Sequence, residues 1–202
     1  MGKCFPRIYD FAMAPLERKK LKGFRKNLIA NAEGRVLEIG SGTGVNFGFY
    51  LPIRTKYVDA IEPNPDMKER SVKRIEAASV PIQVHLVGAE KLPFPDNTFD
   101  SVVATLVFCT IPDPEQALRE IQRVSKPGSS ILLFEHVRMN DSPFLAKIQE
   151  KLTPLWKKVC DGCHLNRNTK ELILQSGLKV THVNTYYKGL FVTMNCTNSK
   201  RR

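Results

Sequence analysis

A chain of 202 residues with 42% apolar and 25% charged content suits one globular domain that buries its own core, which excludes wholesale disorder. Its formal charge of +11 favours anionic surfaces, RNA or acidic substrates, but no aromatic-rich RNA-reading motif accompanies it, so nucleic acid is not the expected partner. No apolar run reaches the roughly 20 residues of a membrane span, and "MGKCFPRIYD" lacks a signal-peptide core, with Pro6 where a myristoylation motif wants Ser or Thr; a cytoplasmic protein is expected.

In chain order, "PLERKKLKGFRKNLI" (15–29) reads as an amphipathic helix, with Leu16, Leu21, Phe24 and Leu28 about one turn apart. "RVLEIG" (35–40) is a short buried strand, followed by a glycine turn and a helix that Pro52 ends near Tyr50. "YVDAIEP" is a second strand and "PDMKERSVKRIEAAS" a second helix, with Asp66 near its start. "IQVHLVG" is a third strand, "LPFPDNTFD" is turn-rich, and "SVVATLVF" is a fourth strand rich in β-branched residues. "DPEQALREIQRVS" is a helix joined by a "KPGS" turn to a fifth strand, "SILLFEHV". The alternation predicts an α/β fold with a parallel sheet covered on both faces. At the end, "NTKELILQSG" is a helix capped by Gly177, and "LKVTHVNTYY" and "GLFVTMNCT" form an antiparallel hairpin about Lys188 and Gly189.

The five cysteines do not form a disulfide framework. Cys160 and Cys163 make a CxxC, but no second pair follows at zinc-ribbon spacing and His164 adjoins Cys163 too closely, so no metal is expected. The basic clusters are "ERKKLKGFRK", Lys157 with Lys158, and the tail "SKRR". The N-terminal helix and the tail could rest against an anionic membrane, and a solvated surface is the plain alternative.

Gly40, Gly42 and Gly44 form GxGxG between strand and helix, where missing side chains let a ligand approach the backbone; helix–strand packing is the competing explanation. Glu62 ends the second strand 18 positions after Gly44. That is close to the spacing of about 20 at which a carboxylate grips a ribose diol. A carboxylate accepts from two hydroxyls at once, so the ligand should contain a ribose.

"VLEIGSGTG", "AIEPNPDM", "GAEKLPFPDNTFDSVVA" and "EIQRVSKPGSSILLFEHV" resemble, in order, the motifs of class I S-adenosylmethionine-dependent methyltransferases, over residues 30–138. The resemblance is strongest to the methyltransferase domain of ubiquinone and menaquinone biosynthesis enzymes. Within that group, "TLVFCTIPDPEQALREIQRV", "LFEHV" and "DGCHLNR" resemble the methyltransferase-like 7 branch, which includes alkyl thiol methyltransferases. Animal members of that branch carry an N-terminal membrane-anchoring segment, which is not expected here. Bacterial phospholipid N-methyltransferases are also similar over the glycine motif.

The resemblance implies a Rossmann-like, seven-stranded, mostly parallel sheet whose last strand is inserted antiparallel, and S-adenosylmethionine as cofactor. It implies one methyltransferase domain over 1–202, with a helical cap at 1–30 and a substrate-side insertion at 139–167. It places Glu38 and the backbone of Gly40, Ser41, Gly42, Thr43 and Gly44, with Asn46, beside the amino-acid part of the cofactor. Glu62 would hold the ribose, Pro63, Asn64 and Met67 would pack near it, and Ala89 and Glu90 would border the adenine. Thr105, Leu106 and Val107 would face the methionine end, and Tyr9 would close over it. Two departures stand out: Gly88 occupies a position where many relatives carry Asp, and Ser129 replaces the second glycine of "PGG".

Methyl transfer from a sulfonium needs alignment and dryness more than a base. A thiol acceptor, with a pKa near 8.5, needs little deprotonation. Candidate bases are His136, Asp161, His164 and Tyr9, each with a plain structural alternative. Phe144, Leu145, Ile148, Leu152, Leu155 and Trp156 could line an apolar acceptor pocket or form ordinary helix core. The expected function is methylation of a small apolar acceptor (thiol, quinone or lipid-like). The competing readings are phospholipid N-methylation, a non-catalytic cofactor-binding module and a nucleotide-dependent oxidoreductase.

Overall fold

The computed structural model describes residues 21–200. Helix α1, Lys22–Ile29, realises the end of the first expected helix and buries Arg25, Leu28 and Ile29. Strand β1 is Gly34–Ile39 and β2 is Thr55–Ile61; both end in fully buried positions. Helix α2, Pro65–Glu76, begins at Asn64, whose side chain accepts from the backbone N–H of Asp66 at 2.9 Å, so Asn64 is the cap. Strand β3 is Ile82–His85, shorter than its apolar run, and β4 is Phe99–Thr105. Helix α3, Pro114–Val124, is capped by Asp113, which accepts from the N–H of Gln116. Strand β5 is Ser125–His136, α4 Pro143–Val159, α5 Thr169–Gln175, β6 Lys179–Tyr186 and β7 Phe191–Thr197.

The seven strands run in the order β3-β2-β1-β4-β5-β7-β6. All neighbours are parallel except β5–β7 and β6–β7, so the terminal hairpin inserts its second strand beside β5. Side chains alternate between the two faces. Leu37, Ile39, Val102, Ala104, Ile131 and Leu133 join α3 and α5 in one core; Val36, Val58, Val103, Leu132 and Phe134 join α1, Phe47 and Tyr50 in the other.

Two expectations are corrected. The helix expected after the glycine turn is only a 3-10 turn, Phe47–Phe49. The Phe47 ring packs so closely on Gly44, itself at φ +79°, that a Cβ there would lie 2.6 Å from it, and Gly48 adds a poor helix former. "KPGS" is not a free turn but the start of β5, held where Gly128 N–H donates to Asn198 O and Asn198 N–H donates to Ser129 O. No helix among the described residues is long and apolar enough to cross a membrane.

Candidate active site

Strand order reverses between β1 and β4, which opens a crevice at the carboxyl ends of the parallel strands, the place where such sheets take their ligands. The glycine turn leaves β1 there. Register puts Ile39 opposite Ile61, so Glu62 emerges beside the turn. Its Oε2 accepts from Gly42 N–H at 2.8 Å and its Oε1 from Asn64 N–H at 2.9 Å. Each carboxylate oxygen offers about two acceptor sites, so one remains on each for a hydroxyl. Burial raises the Glu62 carboxyl pKa, the two backbone N–H groups pull it down, and the charge of Asp161 adds to the rise.

The glycines differ in purpose. A Cβ at Gly40 would sit 2.2 Å from Val107 Cγ2, whereas one at Gly42 would meet nothing within 4 Å; φ is +62° and +54°. Gly40 lets the turn pass under Val107, and Gly42 leaves its outer face open. Ser41 is buried, and its Oγ has no partner among the described residues. A buried unpaired hydroxyl beside an open backbone face fits a polar ligand. Leu106, just past β4, holds φ +53° while its N–H donates to Phe134 O, a strained conformation kept at the mouth of the crevice. These features fit a nucleoside-containing cofactor.

Glu38 is wholly buried. Asn46 Nδ2 donates to its Oε1 at 2.9 Å and Tyr50 OH to its Oε2 at 2.6 Å. Asn46 Nδ2 also lies 2.9 Å from Thr105 Oγ1, and Arg25 Nη1 donates to Asn46 Oδ1 at 3.1 Å and to Thr105 Oγ1. Burial lifts the Glu38 pKa to about 7 against the pull of Tyr50, Asn46 and Arg25. Glu38 therefore braces the floor of the crevice through Asn46 and Thr105. Arg25 and Tyr50 are absent from the sequence-derived set: Arg25 reads as one more surface charge in a basic helix, and Tyr50 as a helix end.

After β3, Ala89 is buried, and Glu90 folds back so that its Oε2 would lie 2.8 Å from a Cβ on Gly88. Met67 and Asn64 are buried, Pro63 is exposed, and Thr43 O accepts from Arg74 Nη1 at 2.6 Å. Tyr9 lies outside the described residues, as do residues 15–20 of the expected N-terminal helix and the last two residues of the tail.

The candidate bases separate. His136 ends β5 and its Nε2 lies 3.3 Å from Cys163 Sγ. Burial opposes the imidazolium, but that hydrogen bond and the charges of Cys163 and Glu135 outweigh it and raise the His136 pKa. His164 contacts Cys109 O through both its N–H (2.9 Å) and its Nδ1 (3.2 Å). Asp161 is half-buried at φ +46°. Glu135, unread in the sequence, accepts from Val107 and Phe108 N–H through Oε1. On α4 Ala146 is buried, but the large apolar residues are not core: Phe144 is 73%, Leu152 50% and Leu155 66% exposed.

Residues 37–133 match a family model described as a methyltransferase domain. The chain is 32% identical to human thiol S-methyltransferase TMT1A over 185 residues, 89% of this chain and 75% of that protein. It is 36% identical to rat thiol S-methyltransferase TMT1B over 154 residues, spanning 60% of that protein's length. The phosphatidylethanolamine N-methyltransferase of Cereibacter sphaeroides is 30% identical over 147 residues, 72% of this chain and 70% of that protein. Among solved structures, a Thermotoga maritima S-adenosylmethionine-dependent methyltransferase, described as a possible histamine N-methyltransferase, aligns with TM-score 0.68 and 25% identity over 96% of this chain and 97% of that one. With the reversed strand order, the open glycine turn and the Glu62 carboxylate, these likenesses show that the chain belongs to the S-adenosylmethionine-dependent methyltransferase family that includes TMT1A and TMT1B.

Proposed function

We propose that this chain transfers a methyl group from S-adenosylmethionine to the sulfur of a small apolar thiol. The observation that carries the donor half is the Glu62 carboxylate fixed against Gly42 N–H, with one acceptor site left on each oxygen for a ribose diol. The acceptor half rests on the similarity to TMT1A over most of this chain. When bound, the cofactor supplies a sulfonium methyl already activated for in-line displacement.

The chain's residues then bind and align. Glu62 holds the ribose, Gly42 admits the cofactor backbone, Ser41 Oγ offers a free hydroxyl, and Glu90 with Ala89 borders the adenine. Pro63, Asn64 and Met67 flank it; Leu106, Val107 and Thr105 close the methionine end, with Thr105 held through the Glu38–Asn46–Arg25 network. Residues 139–167 supply the acceptor side, since His164 contacts the turn after β4. Both nearby imidazoles are engaged by protein groups, which suits an acceptor that ionises readily, as a thiol does.

The test is turnover of methyl-labelled cofactor with alkyl thiols, quinols and phosphatidylethanolamine offered separately. Methylthioether formation is expected; product from the lipid amine alone would replace the thiol reading. That second reading is favoured by the exposed apolar residues of α4 and the similarity to the bacterial phospholipid enzyme.

A further inference from the structure

Three side chains from distant parts of the chain meet at the acceptor side of the crevice. Cys109 lies in the turn after β4, His136 ends β5, and Cys163 follows α4. One ligand atom from each lies within 4.8 Å of the other two. His136 Nε2 is 3.3 Å from Cys163 Sγ. In a tetrahedral zinc site, with Zn–S about 2.3 Å and Zn–N about 2.0 Å, neighbouring sulfur and nitrogen ligands stand roughly 3.5 Å apart. The His136–Cys163 pair is therefore close to coordination spacing, and the Cys109 sulfur lies within 4.8 Å of both.

The scaffold holding it is firm. His164 N–H donates to Cys109 O at 2.9 Å, which ties the residue after one cysteine to the backbone of the other. Arg167 Nη1 donates to Phe108 O and, at 2.6 Å, to Ile111 O, on either side of Cys109. Cys109 and Cys163 are buried and free of disulfides, and His136 is half-buried. Two thiolates and an imidazole are a soft donor set that selects zinc over magnesium or calcium. Among the described residues the cluster offers three protein ligands rather than four, which leaves a coordination position open, as in catalytic zinc sites. Leu106 O, 3.7 Å from Cys109 Sγ, places the cluster beside the strained residue at the mouth of the crevice.

We propose that Cys109, His136 and Cys163 bind one zinc ion whose open position takes the sulfur of the acceptor thiol. The second half rests on the thiol reading given under Proposed function; the metal site stands without it. An acceptor R–SH entering the position binds as the thiolate, and its proton passes to solvent. A sulfur lone pair then forms the new S–CH3 bond. The bond between that methyl and the donor sulfonium breaks, its electron pair stays on the donor sulfur, and the neutral thioether, a weaker ligand, leaves the ion. No protein base is required, which accords with His136 serving as a ligand and the His164 ring being held against Cys109 O.

The test begins with metal analysis of the reduced, full-length protein after dialysis against micromolar zinc. About one zinc per chain is expected, lost in Cys109→Ser, Cys163→Ser and His136→Ala and retained in Cys160→Ser. Because the buried-cysteine variants could misfold, the wild-type protein is also loaded with cobalt(II). A sulfur-to-cobalt charge-transfer band should appear and shift when an alkyl thiol is added. No stoichiometric metal, loss of metal in Cys160→Ser alone, or a Cys109–Cys163 disulfide in place of metal binding would overturn the site. A cobalt band that ignores added thiol would overturn the open acceptor position. Metal and thiol binding without methyl transfer would count against the thiol methyltransferase reading and leave the site standing.

Discussion

The Glu62 carboxylate and the Gly42 backbone nitrogen are 2.8 Å apart, so the acid at the end of β2 is oriented by the glycine turn at the end of β1. That orientation makes Glu62 a rigid acceptor. Hydrogen bonds to a charged group contribute about 1.5–3 kcal/mol each. Glu62→Ala should therefore weaken S-adenosylhomocysteine binding by roughly ten- to a hundredfold, and Glu62→Gln by less. Titration calorimetry reads this directly, and unchanged affinity in Glu62→Ala would remove the ribose assignment.

Gly40 and Gly42 should fail in different ways. Alanine at either must hold a positive φ, costing about 1–2 kcal/mol. At Gly40 the new Cβ also meets Val107 Cγ2 at 2.2 Å, and a β-branched neighbour yields poorly, so Gly40→Ala should unfold at clearly lower denaturant. At Gly42 nothing lies within 4 Å, so Gly42→Ala should stay folded and lose cofactor binding. Urea melts paired with calorimetry separate the two outcomes.

Arg25, 3% exposed, joins α1 to Asn46 and Thr105. Removing one partner from a buried charged network typically costs about 3–5 kcal/mol. Arg25→Ala should show a loss of that order in equilibrium unfolding, far more than a surface arginine would.

Glu38 makes stability depend on pH. Its folded pKa is raised from 4.5 to about 7, chiefly by burial, so the native state keeps a proton that the unfolded chain releases. Its contribution is full below pH 4.5 and is lost as pH rises through about 7. Glu38→Gln should flatten that part of the stability profile, because the Tyr50 hydroxyl can turn to accept from the new amide. Urea midpoints measured from pH 4.5 to 8 test it, and an identical slope in wild type and variant would contradict it.

Phe144, Ile148, Leu152, Leu155 and Val159 fall on one exposed face of α4, with Lys147, Lys151 and Lys158 nearby. An exposed apolar stripe with lysines suits an anionic lipid interface. Flotation with phosphatidylserine-containing vesicles should recover the protein and neutral vesicles should not. The double variant Phe144→Asp, Leu155→Asp should lose the binding with its melting temperature intact.

The alternation of strands and helices, apart from the 3-10 turn after Gly44, is legible along the chain, as are the terminal hairpin, the glycine turn and the acid that follows it. Those are local properties: a side-chain period, a positive φ that glycine tolerates, a carboxylate at a fixed distance along the chain. The sequence could not show that Arg25, in a run of surface lysines, is buried, because burial depends on what α1 packs against. Nor could it join Cys109, His136 and Cys163, each 27 residues from the next, because the visible CxxC pairs Cys163 with Cys160. Only the strand order, which sets the end of β4 beside the end of β5, and the clamp of His164 and Arg167 onto the turn around Cys109 bring those three together. Proximity across the sheet is decided by packing between elements, and no contiguous pattern of residues encodes it.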